Sequence, residues 1–248
     1  MRIAAYLKRI GYSGPLAPGV ESLCKLHRAH LLTVPFENLD IAWKRAICMD
    51  ADAFLQKIVE KRRGGFCYEL NGAFAWLLRE LGFKVTLLSA RAPRADGSEG
   101  PEFDHLTLRV DLEQPWLADV GFGDSFIEPL QLQTKVEQKQ YGQSFRIVEQ
   151  GEDLRLEKLD AGWKTEYVFN LKARQLEEFA GMCRYHQTSR ESPFTQKRVC
   201  SMLTPDGRLT LSEMRLISTH NGVREERTLT SAEEWSAVLK DKFGVSQA

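Results

Sequence analysis

The sequence has no surplus of charge of either sign: 34 Lys and Arg balance 34 Asp and Glu across 248 residues. That removes the electrostatic footprint of a binder of nucleic acid or anionic membrane, and a small molecule is the expected partner. Long apolar runs are also missing. The opening MRIAAYLKRIGYSG holds no stretch of signal-peptide length, and no later segment approaches the roughly 20 apolar residues of a membrane span, so a cytoplasmic chain is expected. Cysteine is sparse and unpatterned. Cys24, Cys48, Cys67, Cys183 and Cys200 are odd in number, scattered and without C-x-x-C spacing, which argues against a disulfide framework or a zinc site and predicts reduced thiols. Repeats and low-complexity tracts are absent. What is present is 43% hydrophobic residues, enough to fill one large domain or two to three small ones.

Periodicity divides the chain into a helical, a β-rich and a mixed segment. VESLCKLHRAHLL and DADAFLQKIVEKR carry apolar residues at helical intervals, and after Cys67 the stripe Leu70, Ala73, Phe74, Leu77, Leu78, Leu81 runs to a stop at Gly82. From Lys84 the period becomes two: KVTLLSARA, HLTLRVDL, WLADVGFG, SFRIVEQ, DLRLEKL and TEYVFNL read as strands. LKARQLEEFAGMC reads as a helix. Pro205-Asp206-Gly207 and Asn221-Gly222 read as hairpin turns, and a closing helix is expected from near Ser231.

The chemistry centres on RRGGFCYELNGAF, where Cys67 opens a helix behind Gly64 and Gly65. A helix N-terminus carries about half a positive charge, which favours thiolate over thiol, and its free N–H groups can hold an oxyanion. The alternative is a buried structural cysteine. A nucleophilic cysteine needs a base and a group to orient it. In FDHLTLRVDL the alternation sets His105, Thr107 and Arg109 on one face, and Asp119 is a carboxylate within an otherwise apolar strand. If Asp111–Glu113 is the hairpin loop, Leu112 is its midpoint and His105 lies directly opposite Asp119; a loop with an even number of residues would part them. The alternatives are a solvent-facing strand residue for His105 and a turn residue before Gly121 for Asp119. His27 and His30 stand three apart on a helix without a third metal ligand, so a solvated face is expected. GFG, Gly121 to Gly123, offers either a phosphate cradle or a plain turn. Arg63 is either part of an exposed helix end or tied inward.

TVPFENLDI, RGGFCYELN, FDHLTLRV and WLADVGFGDSF, with SPFTQKRVCSMLTPDGRLTL further on, together resemble the arylamine N-acetyltransferase family over nearly the whole chain. The resemblance implies an α+β fold with a Cys-His-Asp core like that of cysteine proteases. Residues 1–83 would be a helical bundle carrying the cysteine, 84–190 a β-barrel-like domain carrying the histidine and aspartate, and 191–248 an α/β lid. It implies Cys67, His105 and Asp119 as the catalytic triad, acetyl-CoA as cosubstrate, no metal, and an aromatic amine, hydroxylamine or hydrazine as acceptor in xenobiotic metabolism. Phe36, Phe66 and Phe122 are candidate pocket walls, Gly123 a candidate cofactor contact, and Arg63 is expected to tie to Glu37 or Asn38. An amide synthase, a thiol hydrolase and a non-catalytic CoA-binding module remain as alternatives. The chain ends at KFGVSQA, where many members continue, so a wide cofactor mouth is a further expectation.

Overall fold

The computed structural model describes residues 2–94 and 96–247. Helices α1 (Arg2–Arg9) and α2 (Val20–Thr33) lead to a two-residue strand β1 (Phe36–Glu37), then α3 (Leu39–Ala42), α4 (Ala51–Leu55) with a π-helical continuation Gln56–Glu60, and α5 (Cys67–Glu80). Strands β2 (Lys84–Arg91), β3 (His105–Asp111), β4 (Pro115–Ala118), β5 (Leu130–Gln131), β6 (Gln138–Gln140), β7 (Gln143–Gln150), β8 (Asp153–Leu159) and β9 (Trp163–Phe169) follow. A 3-10 turn, Leu176–Phe179, precedes α6 (Ala180–Thr188) and α7 (Pro193–Gln196). The chain closes with β10 (Val199–Thr204), β11 (Gly207–Ser212), β12 (Arg215–His220), β13 (Val223–Thr228) and α8 (Ala232–Phe243). The fold is α+β.

The stripe on α5 predicts one buried face, yet the helix is buried almost all round. Tyr68, Leu70, Asn71, Gly72, Ala73, Phe74, Leu77 and Leu78 are wholly inside, because α4 lies on one side and β2 and β3 on another. Phe54 of α4 approaches so closely that a Cβ on Gly72 would sit 2.6 Å from its ring. Burial of this many apolar side chains is the main stabilising term for the region.

Eight antiparallel strands form a curled sheet in the order β5-β4-β3-β2-β9-β8-β7-β6. Leu117 and Leu130 near one edge share an interior cluster with Phe145 and Ile147 near the other, so the sheet wraps around them. The two edge strands meet through side-chain amides. Gln138 Oε1 accepts from Gln131 N at 2.8 Å and its Nε2 donates to Gln131 O at 2.9 Å, while Gln140 Oε1 accepts from Ile127 N at 2.7 Å. These amides satisfy backbone groups that an open edge would leave to water. The second sheet has the order β1-β10-β11-β12-β13, so a strand from the helical third is an edge of the sheet formed by the last third. The Asn221-Gly222 turn joins His220 to Val223 with both residues at positive φ, as its sequence predicts. Ser231 caps α8 by accepting from Glu234 N at 3.1 Å.

Two expectations shift. The strand read from WLADVGFG stops at Ala118, because the next two amides leave the ladder: Asp119 N donates to His27 Nε2 and Val120 N to Asn71 Oδ1. The β3–β4 hairpin pairs Asp111 with Pro115 and Leu108 with Ala118, which makes Glu113 the midpoint. Extending that register sets Thr107 opposite Asp119, and His105 reaches the carboxylate on the diagonal, the loop still having an odd number of residues.

The loop before Cys67 is clamped from both sides. Glu37 N donates to Gly65 O at 2.8 Å, and a Cβ on Gly64 would lie 1.9 Å from Pro35 O, so only glycine fits. Beneath it, five charged side chains are buried together. Arg63 donates to Glu37 Oε1 at 2.6 and 2.9 Å and lies 3.0 Å from Asp40; Lys57 contacts Asp40 at 2.8 Å and Glu69 at 2.7 Å. The Arg63 guanidinium also stacks 4.7 Å from the centre of the Trp43 ring. Replacing Arg63 by Gln leaves Glu37 with only the more distant Lys57, at 3.9 Å, and loss of one partner of a buried pair costs about 3–5 kcal/mol. Chemical denaturation of Arg63→Gln is expected to show a loss of that size; unchanged stability would mean that the cluster does not hold the loop.

Candidate active site

Cys67 is the first residue of α5 and only 3% exposed. Glu69, two residues on, accepts from Phe66 N at 3.1 Å and so pins the helix start. The sequence predicts a thiol lowered by the helix field. Instead, burial pushes it well above its ordinary value; a hydrogen bond from the Leu106 backbone lowers it, and the Asp104 and Asp119 carboxylates raise it. Desolvation outweighs a field that acts on a single turn. Burial thus works against the charged thiolate at this position.

A histidine and a carboxylate line up beside it. His105 Nε2 and Asp119 Oδ2 are 2.6 Å apart. The imidazole is held edge-on to the Phe122 ring at 5.1 Å and beside Tyr167 at 5.2 Å. Asp119 is 2% exposed, and its second oxygen accepts from Asn71 Nδ2 at 2.8 Å and from Gly121 N at 2.9 Å. Burial alone would raise its carboxyl, but the His105 charge and these hydrogen bonds outweigh burial and hold it below its ordinary value. Asp119 is ionised, fixed and dry. Asn71 also donates to Leu106 O at 2.6 Å and accepts from Val120 N, so one amide spans α5, β3 and the Asp119 turn. Gly121 closes the turn against the helix: a Cβ there would lie 2.8 Å from the Cys67 Cα.

Cys67 and His105 line one cavity of about 680 Å³ together with Phe36, Gly121, Phe122 and Phe194. Among the described residues, His105 Nδ1 makes no hydrogen bond, to Cys67 or to any other group; the two side chains share the cavity wall without a direct hydrogen bond. Phe36 and Phe122 thus stand on the wall. Phe66 does not: it is fully buried, with its ring against Tyr68 at 5.0 Å and Phe194 at 5.9 Å, because it caps the helix from beneath. Gly123 also lies outside the cavity and serves a turn at φ +94°. Arg63 reaches Glu37 but not Asn38. Asn38 donates to Phe194 O and Lys197 O and accepts from Val199 N, fixing the α7 segment that walls the cavity.

Two contributors escaped sequence reasoning. Asn71 lay within the cysteine motif, with nothing in its spacing to mark it. His27, expected on a solvated face, is fully buried: Nδ1–H donates to Ile127 O at 2.8 Å and Nε2 accepts the Asp119 N–H at 3.1 Å, which fixes its neutral tautomer. His30 is buried too, with Nδ1 3.1 Å from the Tyr6 hydroxyl.

Comparison with known proteins places this arrangement. A family model described as N-acetyltransferase matches residues 19–248. An arylamine N-acetyltransferase of Escherichia coli (strain K12) is 34% identical over 245 residues, covering 97% of this chain and 87% of its own. The chain belongs to the arylamine N-acetyltransferase family. The solved arylamine N-acetyltransferase from Salmonella typhimurium superposes with a TM-score of 0.94 at 32% identity, covering 98% of this chain and 91% of that one. The Mycobacterium marinum arylamine N-acetyltransferase, solved in complex with CoA, gives 0.92 at 30%, covering 98% and 92%. As a member of the arylamine N-acetyltransferases the chain is an acyltransferase.

His27 gives this site a pH signature. Burial, opposed by its bonds and by Asp119, pushes its pKa down to about 4 from the ordinary 6.5. Below pH 6.5 the unfolded chain takes a proton on this ring that the folded one refuses. Stability present above pH 6.5 is therefore lost as pH falls towards 4, by about 3 kcal/mol from this group. Urea denaturation across that range should show wild type losing about that much more than His27→Gln; parallel curves would refute the assignment.

Proposed function

We propose that the protein transfers an acetyl group from acetyl-CoA to an aromatic amine, hydroxylamine or hydrazine through an acetyl thioester on Cys67. The observation that carries this reading is the fully committed, buried Asp119 holding His105 beside a cavity that also contains Cys67. The Mycobacterium marinum relative solved with CoA supports a CoA thioester as donor.

His105 takes the Cys67 proton at Nδ1, and the imidazolium formed is matched by Asp119. Proton transfer between two groups that line the same cavity leaves a thiolate facing an imidazolium, which offsets the cost of burying the thiolate. The thiolate adds to the acetyl carbonyl, and the unpaired N–H groups at the α5 start face the oxyanion. The C–S bond to CoA breaks, and the leaving thiolate collects the proton from His105. In the second half, the acceptor nitrogen adds to the acetyl-cysteine carbonyl, His105 takes the N–H proton, the thioester C–S bond breaks and the proton returns to Cys67. Phe36, Phe122 and Phe194 offer an apolar bed for an aromatic ring.

Intact-protein mass spectrometry after acetyl-CoA alone should find one added acetyl group, mapped to Cys67 and discharged as amide by an arylamine. Unmodified protein with no CoA released would overturn the reading. Cys67→Ser should not acetylate detectably, and Asp119→Asn should slow acetylation by on the order of 10³–10⁴ by removing the orientation and charge that His105 depends on.

A further inference from the structure

Besides Cys67 and Tyr185, the cavity is lined by the carboxylates Asp96, Asp104 and Glu191, the imidazoles of His105 and His186, and Arg94. Three carboxylates thus face one guanidinium. Asp96, Glu191 and Arg94 are exposed at the rim, but Asp104, immediately before His105, is partly buried and built in. Its Oδ1 lies 3.2 Å from His186 Nε2, and His186, only 2% exposed, is held at Nδ1 by Ser192 Oγ at 3.0 Å. Gly100 leaves room for the carboxylate, since a Cβ there would be 3.1 Å from Oδ2. Among the described residues, no donor reaches that Oδ2. The wall therefore presents a partly buried carboxylate free to accept, next to the group that would deprotonate an acceptor.

Resting on the acyl-transfer reading of this cavity, we propose that Asp104 selects among aromatic acceptors. Rings carrying a neutral or cationic hydrogen-bond donor are taken, and rings carrying a carboxylate are refused. Like-charge repulsion in a partly desolvated site is a stronger discriminator than shape, because a carboxylate and a carboxamide on the same ring are nearly isosteric. His186, with Nε2 at ion-pair distance from Asp104 Oδ1, acts through Asp104 as a positioning residue.

The test is a pair of ratios. Dissociation constants of 4-aminobenzoate, 4-aminobenzamide and 4-(aminomethyl)aniline are measured by calorimetry on the protein without acetyl-CoA, and kcat/KM for each is measured with it. Wild type should favour the amide and the cationic amine over the carboxylate by about tenfold or more, the size expected of one partly screened charge. Asp104→Asn should bring the carboxylate ratio close to one, Asp104→Glu should retain the preference, and the rim variant Asp96→Asn should leave it. Equal wild-type binding of the three ligands, or a ratio unmoved in a folded Asp104→Asn, would overturn the proposal. The binding ratios need no turnover, so absence of acetyl transfer would refute the reaction while leaving selectivity measured on its own.

Discussion

The loop and helix start at Cys67 depend on five ionisable side chains held out of water. Lys57 and Arg63 share Glu37, Asp40 and Glu69, three carboxylates to two cations, all buried. Burial raises the Glu69 carboxyl, and Lys57 only partly offsets this, so Glu69 is pushed up to about 7. Such a cluster is costly to desolvate and adds little net stability over an apolar core of the same shape. Its value is positional. Glu37 comes from β1, Asp40 from α3, Lys57 from the π-helical turn, Arg63 from the loop and Glu69 from α5, so five segments are fixed in register. The widened helical turn at Gln56–Glu60 is a departure of the kind proteins retain at functional sites. Here it places Lys57 against Glu69, the residue that pins the helix start.

The thiol and the carboxylate illustrate opposite outcomes of the same burial. Cys67 has one backbone N–H and two unfavourable carboxylates, and stays neutral. Asp119 has an imidazole, an amide and a backbone N–H, and stays charged. Burial penalises charge at both positions; the number of donors decides which group keeps it.

Much of this was legible in the sequence. Cap and glycine signals located α5 and α8, alternation located most strands of the curled sheet, and Asn221-Gly222 located its turn. Cys67, His105 and Asp119 could be singled out because each violates a local expectation: a cysteine behind paired glycines, and polar residues in strands that should bury apolar ones. The diagonal placement of His105 could not be read, since hairpin register hangs on a loop one residue long or short at each end. His27 misled because a polar residue on a helix defaults to solvent; its burial depends on Ile127 and Asp119, about 100 residues away in the chain, which periodicity does not sense. Phe66 misled for the opposite reason, as adjacency to a reactive residue in sequence says nothing of which side of the helix start a ring occupies. Asn71 carries as much of the site as the residues that could be found, and an asparagine inside a helix has no distinguishing pattern.

The amide seam between β5 and β6 bears on the site from the far side of the curled sheet. Gln140 receives the N–H of Ile127, the carbonyl of Ile127 receives His27, and His27 receives the N–H of Asp119. These bonds run in series, without the parallel redundancy of a strand ladder. A fluctuation that parts the seam removes the fixed acceptor from His27, frees its ring to turn and releases the backbone of Asp119. Local opening of the sheet and release of the Asp119 backbone are then one event on the scale of sub-global unfolding.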